Sequence, residues 1–239
     1  MKKILQIGNI YFFYRPKIEK QQEAQRFFLI LHPTKSNKYN LLIVGKKHLP
    51  EVGKDNGCFL FVDKITENKE ELLQSLIEKH YHTKTSGERN LSTSQCLGEG
   101  KYLLVEHNNH THFIYQLANP TVIKEIQQEL NLQKEDDYLI NIKNPQASSP
   151  AGVGLNPNQK ASYSNELQQQ FANYQFISLN SPNFLDYEGA ELLLIPKVNT
   201  NLTEKDQELK FCLEKINKDE LAQEFKRISS PETLAPIEK

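Results

Sequence analysis

The sequence predicts an α+β fold: a largely antiparallel N-terminal sheet with one helix, continuing into a smaller helix–strand region and a C-terminal tail helix. Three observations carry this expectation. Short runs rich in Phe, Tyr, Ile, Leu and Val recur through the first half, cut by Pro, Gly, Asn and Lys. One stretch, 67–81, changes to helical spacing. Beyond Leu117, helix-like and strand-like stretches alternate.

In chain order, residues 5–14, 26–31, 39–45 and 58–65 read as strands, with Pro33-Thr34-Lys35-Ser36-Asn37-Lys38 as the connection between the second and third. In 67–81, Leu72, Leu73, Leu76 and Ile77 form one apolar stripe while Glu70, Glu71, Glu78 and Lys79 face water. Residues 101–116 read as two strands joined by Asn108-Asn109, because Asn tolerates the positive φ that a two-residue hairpin loop requires. Asn119 then offers a helix cap and Pro120 a first helical position, with Val122, Ile123, Ile126 and Leu130 as the buried stripe. Residues 138–142, 175–179 and 190–195 read as strands. Between them, 144–164 holds Pro145, Pro150, Pro157, Gly152 and Gly154 and reads as a long irregular loop of the kind that often carries function. From Lys197 the composition turns charged; Thr203 and Asp206 suggest a cap, and Leu209, Leu213, Ile216, Phe225 and Ile228 give a discontinuous apolar face. The expected regions are therefore 1–117, mainly β; 118–196, α/β; and 197–239, an amphipathic, partly disordered tail whose 203–228 helix docks on the body or on a protein partner. The first two regions are compatible with one body or with two domains. Deleting 197–239 is expected to leave the body folded.

Totals bound the function classes. Lys+Arg 29 against Asp+Glu 30 leaves a formal net charge of −1, so no global field draws the chain to nucleic acid or to an acidic membrane. Cys58, Cys96 and Cys212 are odd in number and widely spaced, which suggests reduced thiols rather than a disulfide framework or a Cys-x-x-Cys zinc site. Gln6, Gly8, Asn9 and Arg15 interrupt the apolar start, and no apolar run is long enough to span a bilayer. A cytoplasmic protein without membrane contact is the expectation.

Four constellations carry chemistry. With a two-residue loop, His107 faces His110 and Val105 faces His112, so His107, His110 and His112 share one face with Leu103, Val105 and Ile114. Such a set suits zinc or another divalent transition metal. In 82–89, Lys84, Thr85 and Arg89, with Thr83, Ser86 and a turn at Gly87, suit a phosphate or carboxylate, although the spacing is not that of a P-loop. Tyr11, Phe13 and Arg15, with Lys84, offer aromatic and basic groups for single-stranded nucleic acid; a strand buried on both faces would look the same. Asp186, Glu188 and Glu191 cluster carboxylates at a strand entrance. Gly-x-Ser-x-Gly, His-Glu-x-x-His and Gly-x-Gly-x-x-Gly do not occur.

Four pieces together, Gly8-Asn9-Ile10-Tyr11-Phe12-Phe13-Tyr14-Arg15-Pro16, Thr83-Lys84-Thr85-Ser86-Gly87-Glu88-Arg89, the 107–112 run and Leu185-Asp186-Tyr187-Glu188-Gly189-Ala190-Glu191, resemble an uncharacterised family of bacterial cytoplasmic proteins. The resemblance covers about residues 4–195 and implies a bacterial source and one continuous body, with no activity or catalytic residue attached. The leading expectation is a cytoplasmic binding or regulatory protein without catalytic activity, its contacts coming from 82–89 and the hairpin tip. The alternatives are a histidine-coordinated metalloprotein, such as a hydrolase, and a nucleic-acid-binding protein.

Overall fold

The computed structural model describes residues 2–18, 23–54, 57–77, 79–83, 87–120, 124–149, 154–197 and 220–229. Its strands are β1 (Lys3–Pro16), β2 (Ala24–Pro33), β3 (Tyr39–Val44), β4 (Cys58–Thr66), β5 (Lys79–Thr83), β6 (Gly87–Leu91), β7 (Gln95–His107), β8 (His110–Asn119), β9 (Glu135–Lys143), β10 (Phe176–Ser178) and β11 (Glu191–Pro196). The helices are short: α1 (Lys69–Gln74), α2 (Glu125–Glu129), α3 (Asn165–Gln170) and α4 (Leu221–Ile228).

The α+β expectation is corrected. The strands run β9-β11-β4-β3-β2-β1-β7-β8, and β8 pairs back onto β9, so eight antiparallel strands close into a barrel. Short β10 is the extra strand, on the same edge of β9 that β8 uses farther along. The local strand pattern is close to that read from the sequence; the closure is not a local property. Strands from both sides of residue 117 are staves of the one barrel. The small separate sheet is the β5–β6 hairpin.

Side-chain alternation explains the filling of the barrel. Ile10, Phe12 and Tyr14 of β1, Phe27 and Leu29 of β2, Tyr102 and Leu104 of β7, Phe113 and Tyr115 of β8, Tyr138 and Ile140 of β9, and Leu192 and Leu194 of β11 belong to one buried cluster. Eight strands leave a lumen just wide enough for side chains to fill, and aromatic contacts such as Phe12–Tyr115 at 5.1 Å occupy it. At one end Leu49, Leu130 and Leu132 form a plug, tied by Leu49 N–H to Leu130 O at 2.9 Å. Phe171, Leu179, Phe184 and Leu185 plug the other, where Asn40 Nδ2 donates to Leu185 O at 2.6 Å. Gly100 lies at the bulge where β7 meets β8, and a Cβ there would stand 2.0 Å from the Gln116 carbonyl oxygen, so only glycine allows this approach.

Both faces of β1 are buried. Ile10, Phe12 and Tyr14 point inward, while Tyr11 and Phe13 lie with Phe28, Ile30 and Leu41 under α1 and α4. Asn68 caps α1, accepting from Glu70 N–H and Glu71 N–H. The helix expected over 67–81 is thus confined to its first turns, and residues 79–83 join the β5–β6 hairpin instead. The helix expected to start at Pro120 also differs: Asn119 closes β8, the Asn119–Pro120 peptide is cis, and α2 begins at Glu125.

Of the expected 203–228 helix, α4 is described and residues 203–219 lie outside the described residues. Leu221, Ala222 and Phe225 of α4 are buried in the cluster that covers β1 and β2, with Phe13 and Phe225 ring centroids 4.9 Å apart. Lys69 of α1 and Glu224 of α4 form an ion pair at 2.6 Å. The apolar side of α4 is therefore docked on the outer face of the barrel, against β1 and β2. Phe225→Ala is expected to cost about 3 kcal/mol through the cavity it leaves, read as a lower urea midpoint; an unchanged midpoint would show that α4 contributes nothing to the core.

A candidate binding site beneath the 144–164 loop

The histidine hairpin adopts the expected register. His107 pairs with His110 and Val105 with His112, while Asn108 and Asn109 take φ of 51° and 62°. The inward face carries Tyr102, Leu104, Phe113 and Tyr115, and the outward one Leu103, Val105 and Ile114. The three imidazoles do not share one centre. His112 Nδ1 donates to Asp137 Oδ1 at 2.9 Å, and the other Asp137 oxygen accepts from Lys197 Nζ at 2.8 Å. His107 is 6.2 Å from His112, ring to ring, and its pKa is held down first by partial desolvation and then by His112, Lys2 and Lys197. His110 is exposed at the tip. Among the described residues no three His, Cys, Asp or Glu side chains are grouped so as to hold a metal ion.

The other sequence candidates separate in the same way. Arg89 lies on β6, whereas Lys84 and Thr85 lie outside the described residues. Tyr11 and Phe13 are covered by helix and cannot stack on a base. Arg15 is buried, donates through Nη2 to Ser75 O at 3.0 Å and sits over the Phe28 ring. The carboxylate cluster has three different roles: Asp186 pairs with Lys38 at 3.2 Å, Glu188 accepts from Ile65 N–H, and Glu191 turns under the 144–164 loop.

That last position forms the most unusual polar site of the described residues. Lys143 ends β9 and Glu191 begins β11; these strands are neighbours, and both residues alternate with inward-facing Ile142 and Leu192, so they lie on the outer face. Lys143 Nζ donates to Glu191 Oε2 at 2.9 Å, with side-chain exposures of 1% and 2%. The second carboxylate oxygen accepts from Leu155 N–H at 2.8 Å. Gly154 makes the roof possible: its φ is +91°, and a Cβ there would meet both Glu191 Oε1 and Ser149 Oγ. Lys160 Nζ clamps the roof by donating to Pro145 O and Ala147 O.

Two hydroxyls of this region, Ser149 Oγ and Tyr163 OH, are buried without a hydrogen-bond partner. The Tyr163 ring packs among Phe171, Phe184 and Tyr187 at 5.8, 5.1 and 5.1 Å. Burial first, then the charges of Glu191 and Tyr187, push its hydroxyl pKa up, so it remains a neutral donor. Tyr163 also lines a cleft of about 550 Å³ with Pro145, Gln146, Lys160, Asn165 and Gln168. The sequence pointed to this loop and to Glu191, but not to Lys143, Ser149 or Tyr163. The available signal was a cation directly after one apolar strand and an anion directly before another.

Comparison with known protein families, with curated proteins and with solved structures returns no match. Among the described residues no helix is long and apolar enough to cross a membrane. A buried pair is vulnerable to loss of one partner, since the survivor keeps an uncompensated charge. Glu191→Gln is therefore expected to cost about 3 to 5 kcal/mol, and adding Lys143→Met to recover more than half of it, both read by chemical denaturation. If the double variant is no more stable than Glu191→Gln, the pair is not the energetic unit.

Proposed function

We propose that this is a non-catalytic, cytoplasmic binding protein that holds a small, uncharged, hydrogen-bonding molecule in the recess beneath the 144–164 loop. The carrying observation is the pair of unpartnered buried hydroxyls, Ser149 and Tyr163, beside the Lys143–Glu191 ion pair. A buried polar atom without a partner costs free energy, and a ligand that supplies the missing bonds removes that cost. The charges of Lys143 and Glu191 cancel. A ligand with net charge would leave one charge uncompensated in a dry site, so polyols and amides fit better than acids or amines. The cleft at Tyr163 is within the size range of small-molecule sites.

This reading retains a binding role but moves it away from 82–89 and the hairpin tip. Thermal melting of the full chain with glucose, inositol and acetamide, against putrescine and spermidine, tests it. The neutral compounds are expected to raise Tm and the charged ones to leave it unchanged. Tyr163→Phe is expected to abolish the rise and, without ligand, to stabilise the protein by about 1 kcal/mol, because an unsatisfied hydroxyl is removed. If Tyr163→Phe destabilises the free protein instead, the hydroxyl is already satisfied within the fold and the reading fails.

A further inference from the structure

A second recess lies at the opposite end of the barrel from the 144–164 loop. It is a groove of about 640 Å³ between α4, the start of β7, the end of β8 and the approach to α2. Its lining is mixed, with apolar side chains from Leu97, Pro120, Ile126 and Ala222 beside Tyr14. Most of the polar groups on its walls are already engaged. Tyr14 O–H donates to Gln95 Oε1 at 2.9 Å, and Asn119 Nδ2 donates to Glu99 Oε1 at 2.7 Å. The Gln127 amide is used at both ends, accepting from Lys124 N–H and donating to Leu97 O, each at 2.6 Å.

Two groups stand apart. Lys124, at the entrance to α2, and Lys226, in the last turn of α4, line the groove from different elements. Neither ammonium is paired with a carboxylate among the described residues. The carboxylate among the described lining residues is that of Glu99, which Asn119 already occupies. The groove therefore combines apolar side chains with two ammoniums against one carboxylate, a net positive balance on its described lining.

We propose that this groove binds a small organic anion, a compact apolar body bearing a carboxylate or phosphate, with Lys124 and Lys226 holding the anionic group and the apolar side chains taking the body. Shape and charge both support this: the volume is that of a small-molecule site, and two ammoniums against a single carboxylate on its described lining favour an anion over a neutral or cationic ligand. Binding is non-covalent. The Cys96 thiol on the wall is pushed up to about 11, by burial first and Glu99 second, and so stays protonated and unreactive at neutral pH. This site is separate from the recess at Tyr163, and its test does not depend on that reading.

The test uses the full chain and 1-anilinonaphthalene-8-sulfonate, an aromatic body carrying a sulfonate, followed by fluorescence. Saturable binding is expected, weakened at least tenfold in the Lys124→Glu/Lys226→Glu double variant. Both lysines are exposed, so the variant should fold, as checked by circular dichroism and thermal melting. Octanoate and adenosine monophosphate then compete for the bound dye; displacement by the first identifies a carboxylate ligand, by the second a phosphate ligand. Equal dye affinity in wild type and double variant overturns the proposal. So does the absence of saturable binding, or dye that neither anion displaces.

Discussion

Closure of the sheet through β9 is the constraint on which the rest of the molecule depends. This strand uses both edges: 138–142 hydrogen-bond to β11 on one side, while 135–139 pair with β8 and 141–143 with β10 on the other. Without the β8 pairing, β8 and β9 would present open edges and the aromatic face of Phe113, Tyr115 and Tyr138 would face water. Closure removes those edges and converts that face into an interior. It also decides where function can lie, because a filled lumen leaves ligand sites only at the ends and on the outer surface.

The candidate recess follows directly from the same strand. Residues beyond β9 leave the barrel through 144–149, pass through α3 and return as β10 on the β8 side of β9, along the stretch 141–143 that β8 does not reach. The excursion therefore ends close to where it began, with Gly154 and Leu155 lying against Glu191 on the outer face. Lys143 and Glu191, 48 positions apart in the chain, become neighbours across two paired strands. Roofing removes them from water, and the 2.9 Å ion pair with the Leu155 N–H offsets part of the desolvation cost. The two hydroxyls that remain without partners are the part of this arrangement that structural stability does not explain.

The legible and illegible parts of the chain differ by the range of the forces involved. The hairpin at Asn108-Asn109 could be read to the residue, because two positive-φ residues in a two-residue loop set the register and alternation then assigns every side chain to a face. Most strand cores were legible for the same reason. Three chemical expectations depended instead on what lies across space. Tyr11 and Phe13 looked like a stacking surface until α4 covered them, and the basic group of Arg15 was drawn into the same packing. The histidines shared a face as expected, but Asp137, 25 residues beyond His112, took up that imidazole. Among the carboxylates at 186–191, only Glu191 faces a buried cation, a distinction that strand pairing makes and spacing cannot.

What the sequence determined by itself was local: where strands run, which residues alternate inward, how the 107–112 turn is built, and that 144–164 is an irregular loop. The α+β expectation came from reading helical spacing in 67–81 and 120–130 as lasting helices. Among the described residues there, only Lys69–Gln74 and Glu125–Glu129 are α-helical, because pairing partners elsewhere in the chain claim some of the flanking residues. Tertiary structure alone decided the closed barrel, the double burial of β1 and the meeting of Lys143, Glu191, Ser149 and Tyr163. The physical reason is that periodicity records which side of an element is apolar, whereas closure and site assembly depend on hydrogen-bond partners and packed surfaces supplied by distant parts of the chain.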